Sequence, residues 1–148
     1  MKSLTKLICF LLLFTLNGCS TVNSKTIKTK RVKCKISLNN EFQKKEQNRY
    51  HSLFVAFNRG NTERIFITFG TSEFEVNLPT DEYKGDKDYW WFYETSDSIT
   101  LEGVHNGLYW KQIKFYKDLK PSIGYDGIPK EKIPEFENYL NSFSCKKR

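Results

Sequence analysis

The sequence predicts a mainly β fold of the α+β class, an antiparallel meander or barrel-like sheet of about seven strands with one C-terminal helix. Three observations predict it. Aromatic residues make up 16% of the chain, with 12 Phe, 8 Tyr and 3 Trp, and such side chains pack well on pleated surfaces. Several short stretches alternate apolar and polar residues and are bounded by turn residues. The last apolar pattern changes to a helical period.

Val32 to Leu38 reads as the first strand. Glu41 to Arg49 is polar and charged, which predicts a loop or a short helical turn. Tyr50 to Phe57 contains Leu53-Phe54-Val55-Ala56-Phe57, a continuous apolar run suited to a strand buried on both faces. Asn58-Arg59-Gly60-Asn61 is a turn, and Arg64 to Phe69 then places Ile65, Ile67 and Phe69 on one face. Glu73 to Leu78 alternates most clearly of all, with Phe74, Val76 and Leu78 inward. Pro79 to Lys87 is a polar loop, and Tyr89-Trp90-Trp91-Phe92-Tyr93 follows as an aromatic strand. Ser98 to Gly103 alternates again. His105-Asn106-Gly107 carries the Asn-Gly hairpin signal, and Leu108 to Lys117 is the returning strand. Residues 121–130, with two prolines and two glycines, read as a connection. Ile133, Phe136, Tyr139, Leu140 and Phe143 share one helical face, and Pro134 suits a first turn.

The N-terminus is organised differently. Lys2 and Lys6 precede an apolar run from Leu7 to Leu16, which is shorter than the roughly 20 residues a bilayer-spanning helix needs. Leu16-Asn17-Gly18-Cys19 follows and resembles the lipobox of bacterial lipoproteins, with Asn17 standing where a small residue is usual. The resemblance implies removal of residues 1–18 as a signal peptide. It also implies diacylglycerol and fatty-acyl (palmitate-type) modification of Cys19, which holds the chain at a membrane of the cell envelope. Two or more acyl chains anchor firmly where one does not. Ser20 in place of Asp implies, by the same resemblance, an outer-membrane, periplasm-facing location. Residues 19–31 then read as the lipidated cysteine and a flexible tether, and residues 32–148 as one β-rich domain, near the commonest domain size.

Of the remaining cysteines, Cys9 leaves with the signal, so Cys34 and Cys145 are the pair left in an oxidising compartment. A disulfide between them is expected; two buried thiols or a bridge to another chain are the alternatives. Their pairing would gather Lys25, Lys28, Lys30, Arg31, Lys33 and Lys35 with Lys146, Lys147 and Arg148, a basic collar expected just after the tether, where the domain meets the membrane. The net charge is +7, or +5 once Lys2 and Lys6 are removed. For an exported chain this favours anionic lipid or an acidic protein over nucleic acid, and solubility alone explains it equally well.

No cofactor, metal or catalytic site is read from the residues. Two cysteines and two distant histidines make no metal cluster. Asp97, Ser98 and His105 can be drawn as a triad, but no nucleophile-elbow sequence surrounds Ser98, and turn and hairpin roles account for all three. Glu73 and Glu75 share a strand face that solvent explains as well as chemistry does. The aromatic strand is the better lead. Tyr89, Trp90, Trp91, Phe92 and Tyr93 must point to both faces of a sheet, with Tyr109 and Trp110 expected on the neighbouring strand. If one face is wet, they form a platform for a protein or a sugar; if the helix covers it, they are core.

Leu78-Pro79, Tyr89 to Phe92 and Ser98 to Gly103, with a cysteine near each end, resemble a region of the lysozyme-inhibitor lipoproteins, which are small β-barrels. That family's Ser-Gly-x-x-Tyr inhibitory loop is absent, so no inhibitory residue is carried over. In size and anchoring the chain is also similar to immunity lipoproteins that neutralise toxins. These resemblances imply a non-catalytic lipoprotein whose domain binds another protein, a hydrolase or a toxin. A peptidoglycan- or glycan-binding module and an envelope hydrolase are the alternatives.

Overall fold

A computed structural model describes residues 21–49, 52–70, 89–115 and 121–148. Their strands are β1 (Val22–Lys28), β2 (Val32–Asn39), β3 (Gln43–Arg49), β4 (Ser52–Arg59), β5 (Glu63–Phe69), β6 (Tyr89–Glu94), β7 (Ser98–His105), β8 (Leu108–Phe115), β9 (Ser122–Ile128) and β10 (Ser144–Lys147). A 3-10 turn at Lys130–Lys132 leads into helix α1 (Ile133–Asn141), with Pro134 in its first turn. All pairings are antiparallel, in a three-stranded sheet ordered β1-β2-β10 and a seven-stranded sheet ordered β3-β4-β5-β9-β8-β7-β6. The mainly β class and the C-terminal helix are as expected. The strand count exceeds the expected seven, because four segments without a clear strand signal pair all the same.

The small sheet and α1 cover one face of the large sheet. Ile27, Cys34, Ile36 and Leu38 project from the small sheet into a common core with Val55 and Phe57 of β4, Ile65 and Ile67 of β5, and Ile123 and Tyr125 of β9. Ile65, Ile67 and Phe69 of β5 share the core side as expected, while Phe66 and Thr68 are buried on the other face. The apolar run of β4 is buried at Val55, Ala56 and Phe57. From α1, Phe136, Tyr139 and Leu140 enter this core, and Phe136 lies edge-on to Phe42 and Tyr125 at 6.0 and 5.8 Å.

The disulfide joins Cys34 to Cys145 across directly opposed positions of β2 and β10, as expected. It ties the C-terminal strand to the second strand over a separation of 111 residues. The Asn-Gly hairpin is also as expected: Asn106 and Gly107 both have positive φ (50° and 76°), which a two-residue turn with the twist of its flanking strands requires.

Three expectations are corrected. Residues 22–28, expected within the tether, form β1 and pair along their whole length with β2. Ile27 is the one fully buried side chain of that strand, so its sequence carries almost no alternation. Residues 43–49, expected as a loop or helical turn, form the edge strand β3, whose side chains from Gln43 to Asn48 are exposed. Residues 122–128, expected as a connection, form β9 between β5 and β8 in the interior of the sheet. There Gly124 leaves room for its neighbours. A Cβ at this position would stand 2.1 Å from the Lys111 carbonyl oxygen and 2.5 Å from the Phe66 ring.

The basic residues do gather, but away from the point where the chain enters the domain. Thr21 precedes β1 beside Asn40, whose side chain donates to its hydroxyl at 2.5 Å. Lys28 and Lys33 lie at the far end of the same hairpin, roughly 20 Å along the strand. The Glu73–Leu78 strand and the Pro79–Lys87 loop of the sequence reading lie outside the described residues.

Candidate functional site

A cleft of about 830 Å³ opens at one end of the large sheet. Cross-strand register sets part of its wall: Gln43, Asn58, Arg64 and Asp126 occupy one row across β3, β4, β5 and β9. This row is on the face turned away from the small sheet, since Phe57, Ile65 and Tyr125 occupy the core side. Asn61 and Thr62 of the β4–β5 turn, His105 and Asn106 of the β7–β8 turn, and Trp110 of β8 complete the wall. Arg64 and Asp126 form a two-pronged pair, Nε to Oδ1 at 2.8 Å and Nη2 to Oδ2, that fixes β5 against β9 at the cleft.

A second group of charges braces the cleft from the core side. Arg59 donates to both oxygens of Glu135 at 2.6 and 2.9 Å and through Nε to Glu63, while Lys132 also donates to Glu63. Its guanidinium lies over the rings of Phe42 and Phe136, 5.1 and 5.0 Å from their centroids. The hydrogen bonds to Glu135 hold Arg59 in its charged form and raise its pKa. In return Arg59 holds the Glu135 carboxyl below the usual range. Burial alone would raise Glu63, but the hydrogen bonds from Lys132 and Arg59 outweigh it and its pKa is lowered too. Tyr139 donates to Glu135 at 2.6 Å; burial, then that bond, pushes its phenol upward. These carboxylates are ionised acceptors in a fixed frame, which suits positioning.

A parallel frame fastens α1 to β8 and β9. Glu137 accepts from Lys111 at 2.9 and 3.0 Å and from the Tyr125 hydroxyl at 2.8 Å. Burial opposes the charge on Lys111, yet the bonds to Glu137 raise its pKa.

The residues singled out in the sequence are dispersed. Of the aromatic set, Trp110 is the one with a described side chain that reaches the cleft, and it is 6% exposed. Its indole Nε1 is buried without a hydrogen-bond partner among the described residues. Tyr109 is half-buried against the core, and Tyr93 is 54% exposed on β6. Tyr89, Trp90, Trp91 and Phe92 lie in β6 at the end of the strand order, opposite Val104, Gly103, Glu102 and Leu101; their side chains lie outside the description. Asp97 and Ser98 belong to the β6–β7 turn, where their N–H groups donate to Thr95 Oγ1 at 3.3 and 3.0 Å. His105 lies at the other end of β7, roughly 23 Å away, so the three do not come together. Cys19, Glu73 and Glu75 lie outside the described residues.

The cleft residues themselves escaped the sequence reading apart from Trp110, the Asn58–Asn61 turn and the His105-Asn106 hairpin turn. Arg64 and Asp126 meet across 62 positions, and Arg59 and Glu135 across 76, with no local pattern to connect them. Among the described residues no group of His, Cys, Asp and Glu is placed to hold a metal, and no helix is long and apolar enough to cross a membrane. No protein-family model, curated protein or solved structure matches the chain.

Proposed function

We propose that the chain is an envelope lipoprotein, anchored through Cys19 after removal of residues 1–18 and facing the periplasm from the outer membrane. Its folded domain binds another protein and neutralises a hydrolase or toxin. The braced cleft carries the reading of the domain. Its walls come from separate turns, at Asn58–Thr62 and His105–Asn106, held by the Arg64–Asp126 pair and backed by the Arg59 frame. A surface ordered before binding loses little freedom on association, and a cleft of this breadth admits a loop of a partner. The anchor reading is supported by the basic start, the short apolar run and Leu16-Asn17-Gly18-Cys19.

A glycan of the wall is the second reading. The amides of Asn58 and Asn61 and the Arg64–Asp126 pair are groups that sugar hydroxyls satisfy. At 6% exposure, Trp110 offers little ring face for stacking, which is why the protein reading ranks first.

The test passes envelope extracts and secreted proteins over the immobilised oxidised chain and over Asn61→Trp, which fills the cleft mouth. One stoichiometric protein retained by the native chain and lost with Asn61→Trp is the expected result. Retention unchanged by that substitution overturns the assignment to the cleft. Binding of purified sacculi with no retained protein moves the glycan reading to first place. The intact mass of the membrane-extracted chain tests the anchor: it should lack residues 1–18 and carry acyl groups at Cys19.

A further inference from the structure

The small sheet has an outer face unlike any other surface described. Its inner positions are fixed by Ile27, Cys34, Ile36 and Leu38 in the core, so the alternate positions point outward. Register then sets Lys28 opposite Lys33 and Lys33 opposite Lys146, three lysines in one row across three strands. The next row outward on the same face is Thr26, Lys35 and Ser144. Beyond it the outward positions carry Ser24 and Ser37, then Val22, none of them acidic; Asn39, opposite Val22 at the far end, is buried and donates to Glu41. Arg148 adds a cation at the β1–β2 turn, where its backbone N–H donates to the Arg31 carbonyl and its guanidinium to the Thr29 carbonyl.

Like charges at directly opposed sheet positions repel. The pKa of Lys33 is lowered, first by Lys35, then by partial desolvation, Lys28, Lys146 and Arg148. The frames around Arg59, Arg64 and Lys111 instead pair each cation with a carboxylate. The core separates this face from the row of Gln43, Asn58, Arg64 and Asp126 in the cleft wall. A cationic array with no acid at its own sheet positions is complementary to an extended anionic surface.

The path of the chain points to the same occupant. Thr21 enters the small sheet at the opposite end of β1 from Lys28, and Cys19 is three residues before Val22, a reach of at most about 11 Å. A chain held at a bilayer through Cys19 thus keeps the hairpin close to that bilayer.

We propose that the outer face of the β1–β2–β10 sheet docks on an anionic phospholipid bilayer, with Lys28, Lys33, Lys35 and Lys146 against the headgroups. The face recruits the bilayer by charge, and the anchor reading supplies only its proximity. Each lysine near such a surface strengthens association about fivefold at moderate salt.

The experiment incorporates the full chain into vesicles of phosphatidylcholine with and without phosphatidylglycerol and acetylates lysines briefly, with readout by peptide mass spectrometry. In the anionic vesicles Lys28, Lys33, Lys35 and Lys146 should label at least about fivefold more slowly, and Lys45 and Lys130 at an unchanged rate. About 0.5 M salt should abolish the difference. Equal labelling in the two vesicle types overturns the proposal while leaving the anchor reading in place. A chain that fails to associate with phosphatidylcholine vesicles overturns the anchor reading, and protection by anionic vesicles then still decides the face. Equal protection by inositol hexakisphosphate without vesicles assigns the face to a soluble polyanion and overturns the bilayer assignment. Lys33→Gln with Lys146→Gln should remove the protection of Lys28 and Lys35 and at the same time raise the unfolding temperature, since it relieves repulsion. Loss of protection with a lower unfolding temperature would trace the effect to unfolding and refute the charge assignment.

Discussion

Arg59 is the side chain whose removal should report most directly on the frame behind the cleft. It is 11% exposed, its partner Glu63 is 10% exposed, and Glu135 is 38% exposed. Removing one partner of a buried ion pair costs about 3–5 kcal/mol, because the other charge is left without compensation. Two features reduce that here. Glu63 keeps Lys132, and the more exposed Glu135 keeps Tyr139 and is screened by solvent. The contacts over Phe42 and Phe136 add back about 0.5–1 kcal/mol each. Arg59→Ala should therefore destabilise by about 3 kcal/mol. In urea, with a slope near 1.5 kcal/mol/M, the midpoint moves down by about 2 M, followed by tryptophan fluorescence on the oxidised chain. Arg59→Met keeps the apolar stem and isolates the charge. Adding Glu63→Gln to Arg59→Met should restore about 1 kcal/mol, whereas Glu63→Gln alone should destabilise. The folded carboxyls of Glu63 and Glu135 are lowered, so their contribution is complete above the unfolded value near pH 4.3 and is lost as pH falls through the lower folded values. The acid limb of stability should flatten in Arg59→Met. A midpoint shift under about 0.5 M, or Glu63→Gln costing the same in both backgrounds, would refute the coupling.

The other perturbations test the remaining joints of the fold. Replacing Cys34 and Cys145 together by serine opens a loop of 111 residues, and the chain-entropy relation sets the loss at about 4–5 kcal/mol, read as the difference between the unfolding midpoints of native and variant chains. Gly124→Ala places a Cβ 2.1 Å from the Lys111 carbonyl oxygen, which must shift, so a loss of at least about 2 kcal/mol is expected in the same assay. A neutral outcome would mean that β9 does not sit between β5 and β8 at this register. Tyr125→Phe removes the 2.8 Å bond to Glu137 and should cost about 1.5 kcal/mol, with a smaller loss if Lys111→Met is already present.

What was legible in the sequence follows from where each element sits. Strands β4 and β5 have one face on the core or an apolar run through it, and α1 has an apolar stripe, so burial wrote a pattern into each of them. The Asn106-Gly107 turn was legible because positive φ restricts the residue choice. Edge strands escape this logic. Ile27 is the sole buried side chain of β1, and β3 runs Gln43-Lys44-Lys45-Glu46-Gln47-Asn48-Arg49 with no apolar residue at all. Their backbones pair because a neighbour offers hydrogen-bonding groups, which composition does not encode. Strand β9 was hidden for the opposite reason. Packing against Phe66 and β8 demands a glycine where a strand signal would need a side chain. The cleft shares the difficulty: its paired charges lie far apart in sequence, and only register brings them into one row.

The pairing of β1 also determines how the two proposed surfaces relate. Were residues 20–31 a free tether, the domain could tumble above the membrane and the lysines would meet it at random. With β1 paired from Val22, the chain enters at a defined corner, beside Asn40 and one residue from Glu41 at the cleft rim. The lysine face belongs to the small sheet, and the row of Gln43, Asn58, Arg64 and Asp126 belongs to the opposite side of the large one. Docking the first on a bilayer turns the second away from it. A partner would then reach the cleft from the aqueous side, and the Glu41 rim would be the part nearest the lipid. Membrane docking and partner binding are thus compatible in one orientation, because the core lies between the two proposed surfaces and β1, which carries the chain into the fold, is part of the sheet proposed to dock.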